Sequence, residues 1–125
     1  AMACAGDPRL TDRRWVRGVS EQLAHATRTL HDHRFAHNDL KWRNLLVNEA
    51  GRLFLIDCPS GDFWRGPFLH RRIIKDLACL DKVARYTLSR TQRLRFFLLY
   101  QRRARMAAGD KTMIRKILAY FEGRE

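Results

Sequence analysis

The chain has 125 residues, which suits one compact domain and is too short for two. Apolar residues make up 46% of it, so a hydrophobic core can form and general disorder is excluded. Its 25 basic and 13 acidic residues give a formal charge of +12, which favours phosphates, nucleic acid or an acidic membrane face as partners. Three scattered cysteines exclude a disulfide framework and favour a reducing compartment, and no apolar run is long enough to span a bilayer.

Residues 1–10 contain an Asp7-Pro8 turn and lack the basic segment of a signal peptide, so we expect them to be flexible or a cut end. A helix is predicted from about Thr11, because apolar residues recur three and four positions apart. Residues 31–39 then leave this helix as a loop. The predicted buried stripe of the helix consists of Val16, Val19, Leu23, Ala26 and Leu30.

Two short apolar runs at 44–47 and 53–56 flank the turn residues Asn48-Glu49-Ala50-Gly51. This pattern predicts one β-hairpin. A segment rich in glycine and proline follows at 59–67 and is expected to form a loop.

Three further helices are predicted. The first covers about 68–86, the second begins at Ser89, where Ser89 and Gln92 match a capping box, and Asp110 is expected to cap the third. The sequence therefore predicts one mostly helical α+β domain over residues 1–125, with one small two-stranded sheet. The predicted core positions of the last two helices are Leu94, Phe97, Leu98 and Tyr100, and Ile114, Ile117, Leu118 and Phe121.

The candidate catalytic and metal-binding residues are concentrated in the loop before the hairpin and at the hairpin's end. The loop reads His37-Asn38-Asp39-Leu40-Lys41-Trp42-Arg43-Asn44, and the second apolar run ends in Asp57. We expect the hairpin to bring Asp57 back beside Asn44, and two oxygen-bearing side chains of this kind suit Mg²⁺. Asp39 is then placed to accept a proton from an acceptor hydroxyl, and Lys41 to neutralise charge on a phosphoryl group in transfer.

This stretch resembles the catalytic loop of protein-kinase-like enzymes, H-R-D-L-x-x-x-N, and Ile56-Asp57-Cys58-Pro59 resembles a divergent D-F-G segment. The resemblance implies the helical C-terminal lobe of such an enzyme, with one small hairpin carrying the metal-binding residues. It makes Asp39 the catalytic aspartate and assigns Asn44 and Asp57 to the metal and to the cofactors ATP and Mg²⁺.

Within that superfamily, residues 35–103 most resemble the bacterial lipopolysaccharide-core kinases, the Kdo and heptose kinase family. The matching stretches are 37–47, 55–61 and Lys75-Asp76-Leu77-Ala78. The resemblance implies ATP-dependent phosphorylation of a sugar of the lipopolysaccharide core. It also implies a glycolipid acceptor, an anionic inner-membrane surface as partner, and a cytoplasmic protein peripheral to the inner membrane.

Two residues are expected to support the catalytic loop. In kinase-like folds an aspartate at the position of Asp76 accepts hydrogen bonds from the catalytic-loop backbone, and we expect the same here. The alternative is an exposed helix aspartate paired with Lys75 or Arg72. His37 is expected to be structural rather than a catalytic base.

The chain also departs from the kinase pattern. No G-x-G-x-x-G occurs, and no lysine precedes Lys41, so the N-terminal lobe that grips ATP is missing and the chain alone is expected to be inactive. Pro67 follows Asp57 closely, which leaves a short activation segment and favours a small or lipid-linked acceptor over a peptide. The alternatives are another kinase-like enzyme acting on protein or small-molecule hydroxyls, and an inactive kinase-like binding module.

The tryptophans Trp15, Trp42 and Trp64, together with the arginines, offer a different interpretation, a nucleic-acid surface on which bases stack. No recognised nucleic-acid motif accompanies them, so a nucleic-acid partner is disfavoured. Trp42 and Trp64 could instead line an acceptor site or simply pack.

Overall fold

In the computed structural model of the chain, residues 2–3, 6–56 and 61–122 are described. They form a mostly helical α+β domain, the coarse class that the sequence predicts. Two single turns of 3-10 helix lie at Pro8–Thr11 and Trp42–Asn44. The strands are β1 (Met2–Ala3), β2 (Phe35–Ala36), β3 (Leu45–Val47), β4 (Leu53–Leu55) and β5 (Asp62–Phe63), and the helices are α1 (Arg13–Asp32), α2 (Gly66–Thr87), α3 (Arg90–Gln101) and α4 (Asp110–Ala119).

Helix α1 begins just after Asp12, whose carboxylate accepts hydrogen bonds from the backbone amides of Arg14 and Trp15. Its buried face follows the predicted stripe at first and then turns, so that Ala26 and Leu30 are only half-buried. The helix also continues through residue 32, whereas residues 31 and 32 were predicted to belong to the following loop. Its buried residues are Val16, Val19, Leu23, Ala24, Thr27 and His31.

The predicted hairpin is present, with Leu45 opposite Leu55 and Val47 opposite Leu53. The sequence predicted a single two-stranded sheet, whereas the described residues form a three-stranded sheet and a separate two-stranded one. Strand β1 pairs antiparallel with β3, which makes a three-stranded sheet, and β2 pairs antiparallel with β5 in a separate ribbon. Both added pairings involve two-residue strands, which are too short to show an alternating pattern in the sequence.

Helix α2 is the centre of the domain and contributes to both hydrophobic clusters of the core. One cluster joins it to α1, the loop at 37–44 and the hairpin, and the other joins it to α3 and α4. An apolar cavity of about 220 Å³ lies between the four helices. Neither α1 nor α2, the two longest helices, is apolar enough to cross a membrane, and the same holds for every other helix in the described ranges.

The capping box at the start of α3 is confirmed: the Ser89 hydroxyl accepts from the Gln92 amide, and the Gln92 side chain accepts from the Ser89 amide. The predicted core position Leu94 is wrong, because this side chain is 41% exposed. Leu118 of α4 is exposed as well, whereas Ile117 is buried.

Asp110 does not cap α4 with its side chain, contrary to the prediction. Its carboxylate instead accepts from the Ala107 amide and pairs with Arg103, so it holds the loop that precedes the helix. This difference arises because residues 102–109 fold back toward Asp110, a path that the local sequence does not determine.

Candidate active site

The loop at 37–44 follows a sharp turn of the chain after α1. Arg34 and Asn38 both have a positive φ, of 63° and 66°, and the two residues of β2 lie between them. Asparagine tolerates this left-handed conformation better than most residues because its short amide can bond locally. The two sharp bends bring the backbone of His37 and Asn38 against the middle of α2, where Asp76 lies.

The side chain of Asp76 supports this bend through hydrogen bonds. It is completely buried, and its two oxygens accept from the backbone amides of His37 at 3.0 Å and Asn38 at 2.8 Å. Its predicted position is confirmed, and the alternative of an exposed aspartate paired with Lys75 or Arg72 is excluded. Since buried amides without partners are costly, the carboxylate stabilises the loop's unusual backbone.

A second buried contact to Asp76 comes from a residue that the sequence did not single out. His31 Nε2 lies 2.8 Å from Asp76 Oδ2, and His31 Nδ1 lies 2.6 Å from the hydroxyl of Tyr100. Burial raises the pKa of Tyr100 well above its usual value, so its hydroxyl keeps its proton and can donate to Nδ1. The four-residue spacing from Leu23 through Thr27 to His31 was the available signal that His31 belongs to the buried face of α1.

His37 forms hydrogen bonds within the fold through both ring nitrogens, and the structural role expected for it stays a prediction. The amide of Asp39 donates to its Nδ1 at 3.2 Å, and its Nε2 lies 3.1 Å from the carbonyl of Ile56. An amide donor on one ring nitrogen and a carbonyl acceptor on the other require the tautomer with hydrogen on Nε2. Both nitrogens are therefore engaged, and His37 joins the loop at 37–44 to the end of β4.

The candidate reactive residues Asp39, Lys41 and Asn44 lie together. The Asn44 amide nitrogen donates to the carbonyl of Asp39 at 2.8 Å and to Asp39 Oδ2 at 3.2 Å, and Lys41 Nζ lies 3.6 Å from Asp39 Oδ1. Asn44 is buried, whereas Lys41 is exposed. The Asp39 carboxylate is thus held from one side by an amide and approached from the other by an ammonium group.

The hairpin brings the chain back to this cluster. The amide of Ile56 donates to the carbonyl of Asn44 at 3.0 Å, which continues the β3–β4 ladder to the residue before Asp57. Asp57 itself lies outside the described residues, as do Cys58 and Pro59. The predicted convergence of Asn44 and Asp57 on one cation therefore stays a prediction.

The donor set of the described cluster fits a hard cation in part. Because Asn44 uses its nitrogen on Asp39, its Oδ1 is the atom that remains available as a ligand, and amide and carboxylate oxygens are what Mg²⁺ prefers. In the described ranges, no group of three or more histidine, cysteine, aspartate or glutamate side chains is placed to hold a metal. A Mg²⁺ ion at this position would hence depend on Asn44, Asp57, water and substrate oxygens.

Two apolar side chains anchor the loop in the core. Leu40 is completely buried, and the Trp42 indole is buried with its Nε1 donating to the carbonyl of Leu80 at 2.8 Å. Trp42 therefore packs and does not line an acceptor site. Nearby, burial raises the pKa of the Cys79 thiol, and the Asp76 carboxylate adds to this effect, so Cys79 stays a protonated core residue.

Comparison of the chain with protein-family models, with curated proteins and with solved structures finds no significant match. The function of this site must accordingly be argued from its own geometry and chemistry.

Proposed function

We propose that the chain is the catalytic-lobe portion of an ATP- and Mg²⁺-dependent, protein-kinase-like phosphotransferase that phosphorylates a sugar hydroxyl of the lipopolysaccharide core. The observation that carries the proposal is the paired contact from the Asn44 side-chain nitrogen to the carbonyl and carboxylate of Asp39. This contact fixes the Asp39 carboxylate and turns the Asn44 oxygen away from it. The resemblance of 37–44 to a kinase catalytic loop supports the same assignment.

Each residue has a distinct role in this proposal. Asp39 orients the acceptor hydroxyl and takes its proton as the oxygen attacks phosphorus, and Lys41 neutralises charge on the transferred group. Asn44 and Asp57 would hold Mg²⁺, which supplies charge neutralisation on the phosphates when bound. Asp76 and His37 keep the loop in place, so they act on the reaction through position alone.

A sugar or lipid-linked acceptor is favoured over a peptide by the shortness of the segment after β4. Only residues 56–65 separate β4 from α2, and β5 within them is already paired with β2. Such a short segment leaves little chain for a peptide-docking surface. The short segment is equally compatible with phosphate transfer to the hydroxyl of another small molecule. The acceptor assay described below distinguishes that acceptor from a lipopolysaccharide sugar.

The metal site can be tested with this chain alone, using paramagnetic Mn²⁺ in place of Mg²⁺. We expect Mn²⁺ to broaden the NMR signals of the Asn44 side-chain amide and the Ile56 backbone amide before those of distant residues. Asn44→Ala should remove the selective broadening at Ile56, whereas Asn48→Ala, in the hairpin turn, should keep it. Uniform broadening across the chain would contradict a metal site here.

Activity should be measured on a protein that also supplies a nucleotide-gripping lobe, since the chain contains no Gly-rich loop and no lysine before Lys41. We expect phosphate transfer to lipopolysaccharide core and its loss on Asp39→Ala or Asp57→Ala. Transfer to a protein or to another small molecule would keep the reaction class and change the acceptor.

A second candidate function is a kinase-like binding module without turnover. Such a module would bind through the same Asn44–Asp39 cluster and would not position the phosphates for transfer, which supplies much of kinase catalysis. In that case Mn²⁺ would still bind near Asn44, and no acceptor would be phosphorylated in any context.

A further inference from the structure

The apolar cavity between the four helices is much larger than the voids that close packing leaves. Its volume is about 220 Å³, whereas protein interiors contain few voids bigger than a water molecule. An apolar cavity of roughly 150 Å³ is large enough to bind benzene, so by the same scale this one holds about nine carbon atoms. Its buried walls come from all four helices and include Val16, Val19, Leu77, Phe97 and Ile117.

The cavity opens to solvent beside α3 and α4. Leu94 of α3 is 41% exposed and Leu118 of α4 is 39% exposed, and both line the cavity. The guanidinium of Arg85, on α2, donates to the carbonyl of Leu118 at 3.3 Å and so lies at this edge. A small molecule can therefore reach the apolar walls from this side.

The rim of this opening is positively charged. The carboxylate of Asp81 accepts two hydrogen bonds from Arg93, of 2.8 and 2.7 Å, and lies 3.5 Å from Arg85. Arg90 precedes Arg93 by three positions on the same face of α3 and also lines the cavity. It is exposed and makes no ion pair with any described residue. Asp81 is the one acidic residue among the described residues that line the cavity, so an anionic group complements the rim.

One hydrogen-bond donor in the wall lacks an acceptor. Trp15 lines the cavity, and its indole Nε1 is buried without a hydrogen-bond partner in the described part of the chain. Buried polar groups in folded proteins are rarely left in this state. The wall is therefore incomplete in polar terms as well as in volume.

We propose that this cavity binds a small amphipathic carboxylate, with an apolar body of about nine carbon atoms inside and the carboxylate at the arginine rim. Burial of the apolar body removes its surface from water, and the arginines hold the anionic end. Trp42 and Leu45, on either side of Asn44 in the chain, also line the cavity, so the bound molecule adjoins the candidate active site. Binding requires neither ATP nor the proposed activity.

Titration with octanoate, followed by NMR, tests the site directly. We expect saturable shifts of the methyl signals of Val16, Val19 and Ile117 and of the Trp15 indole NH signal. The methyl signals of Val47, which is buried but does not line the cavity, should hardly move. Octanol has the same chain without the charge and should bind about fivefold more weakly. Butyrate should bind at least about tenfold more weakly, because it has four fewer methylenes to bury.

Matched arginine variants test the anionic end. Arg90→Ala should weaken octanoate binding about fivefold and leave octanol binding unchanged. Arg95→Ala removes an exposed arginine of the same helix that does not line the cavity, and it should change neither.

Cavity-filling variants test the apolar end. Ala84→Leu adds carbon atoms to the cavity wall, so it should weaken octanoate binding about tenfold and shift the preference toward butyrate. Ala119→Leu makes the same change at an exposed position of α4 and should have no effect. Unchanged far-UV circular dichroism verifies the fold, and Ser20→Leu, which fills the cavity from α1, replaces Ala84→Leu if that variant does not fold.

Three results would overturn the proposal. The first is the absence of saturable shifts at the cavity wall. The second is equal affinity for octanoate and octanol, or equal loss from Arg90→Ala and Arg95→Ala, because the rim would then not select an anion. The third is a dependence of the wall signals on protein concentration without octanoate, which would show that a second copy of the chain covers the cavity.

Discussion

The carboxylate of Asp76, in the middle of α2, accepts a hydrogen bond of 2.8 Å from the backbone amide of Asn38, whose φ is 66°. A helix side chain thus supports the most unusual backbone conformation of the loop at 37–44. The same carboxylate also accepts a hydrogen bond from the backbone amide of His37 and lies 2.8 Å from Nε2 of His31. One buried side chain therefore connects α1, α2 and the loop. The position of Asp39 is set through this connection.

Replacing Asp76 with alanine should destabilise the fold strongly. The amides of His37 and Asn38 would lose their acceptor in a buried environment, at about 1–3 kcal/mol for each unpaired group. Urea denaturation followed by circular dichroism measures the change in the free energy of unfolding. Asp62→Ala, which removes an exposed carboxylate from β5, should change it by less than about 0.5 kcal/mol. Similar losses in the two variants would contradict the role assigned to Asp76.

Tyr100 should resist ionisation for as long as the protein is folded. Burial raises its pKa, whereas a tyrosine in the unfolded chain loses its proton near pH 10. Because the unfolded state releases the proton first, this contribution to stability is complete below pH 10 and declines as the pH rises further. Absorbance of tyrosinate during an alkaline titration should show a late step that coincides with unfolding. Tyr100→Phe should remove that step, and Tyr86→Phe should not.

Asp110 should make the stability of α3 and α4 dependent on pH at the acidic end. The hydrogen bond from the Ala107 amide, with the pairing to Arg103, lowers the pKa of this carboxyl below its usual 3.8. Its stabilising effect is therefore present above pH 3.8 and is lost as the pH falls through the lower, folded-state value. The stability difference between the wild type and Asp110→Asn should be largest near neutral pH and should shrink in acid. A difference that is constant with pH would show that the charge of Asp110 is not involved.

Local patterns in the sequence predicted those features that depend on neighbouring residues. The capping box at Ser89, the hairpin formed by the apolar runs at 44–47 and 53–56, and the buried start of α1 all follow from spacing within a few positions. The position of Asp76 was predicted through the resemblance to kinases, since nothing nearby in the chain indicates its partners.

Features that depend on distant residues were missed. His31 bonds to Asp76 and Tyr100, which lie 45 and 69 positions away, and no local pattern specifies such contacts. The β2–β5 ribbon likewise joins Phe35 to Phe63 through strands too short to recognise. Exposure of Leu94 has the same origin, because the face that α3 buries is set by its packing against α1 and α2 rather than by its own apolar residues.

The variant Asn44→Asp should separate a metal site from a purely structural asparagine. In the wild type the Asn44 nitrogen lies 3.2 Å from Asp39 Oδ2 and 2.8 Å from the Asp39 carbonyl. An aspartate at position 44 loses both donors and places a second carboxylate against the first, where like charges repel. In the presence of a chelator we expect a loss of about 1–3 kcal/mol in the free energy of unfolding.

Added Mg²⁺ should restore much of that loss, because a pair of close carboxylates binds a divalent cation and binding to the folded state stabilises it by mass action. Asn44→Leu, which lacks any ligand oxygen, should be destabilised to a similar extent and gain nothing from Mg²⁺. Asn48→Asp makes the same change of charge in the hairpin turn, where the Asn48 oxygen accepts from the Arg52 amide, and it should show no specific response to Mg²⁺. If thermal melts show equal Mg²⁺ effects on the variants at 44 and 48, the cation is acting on net charge and Asn44 is not part of a metal site.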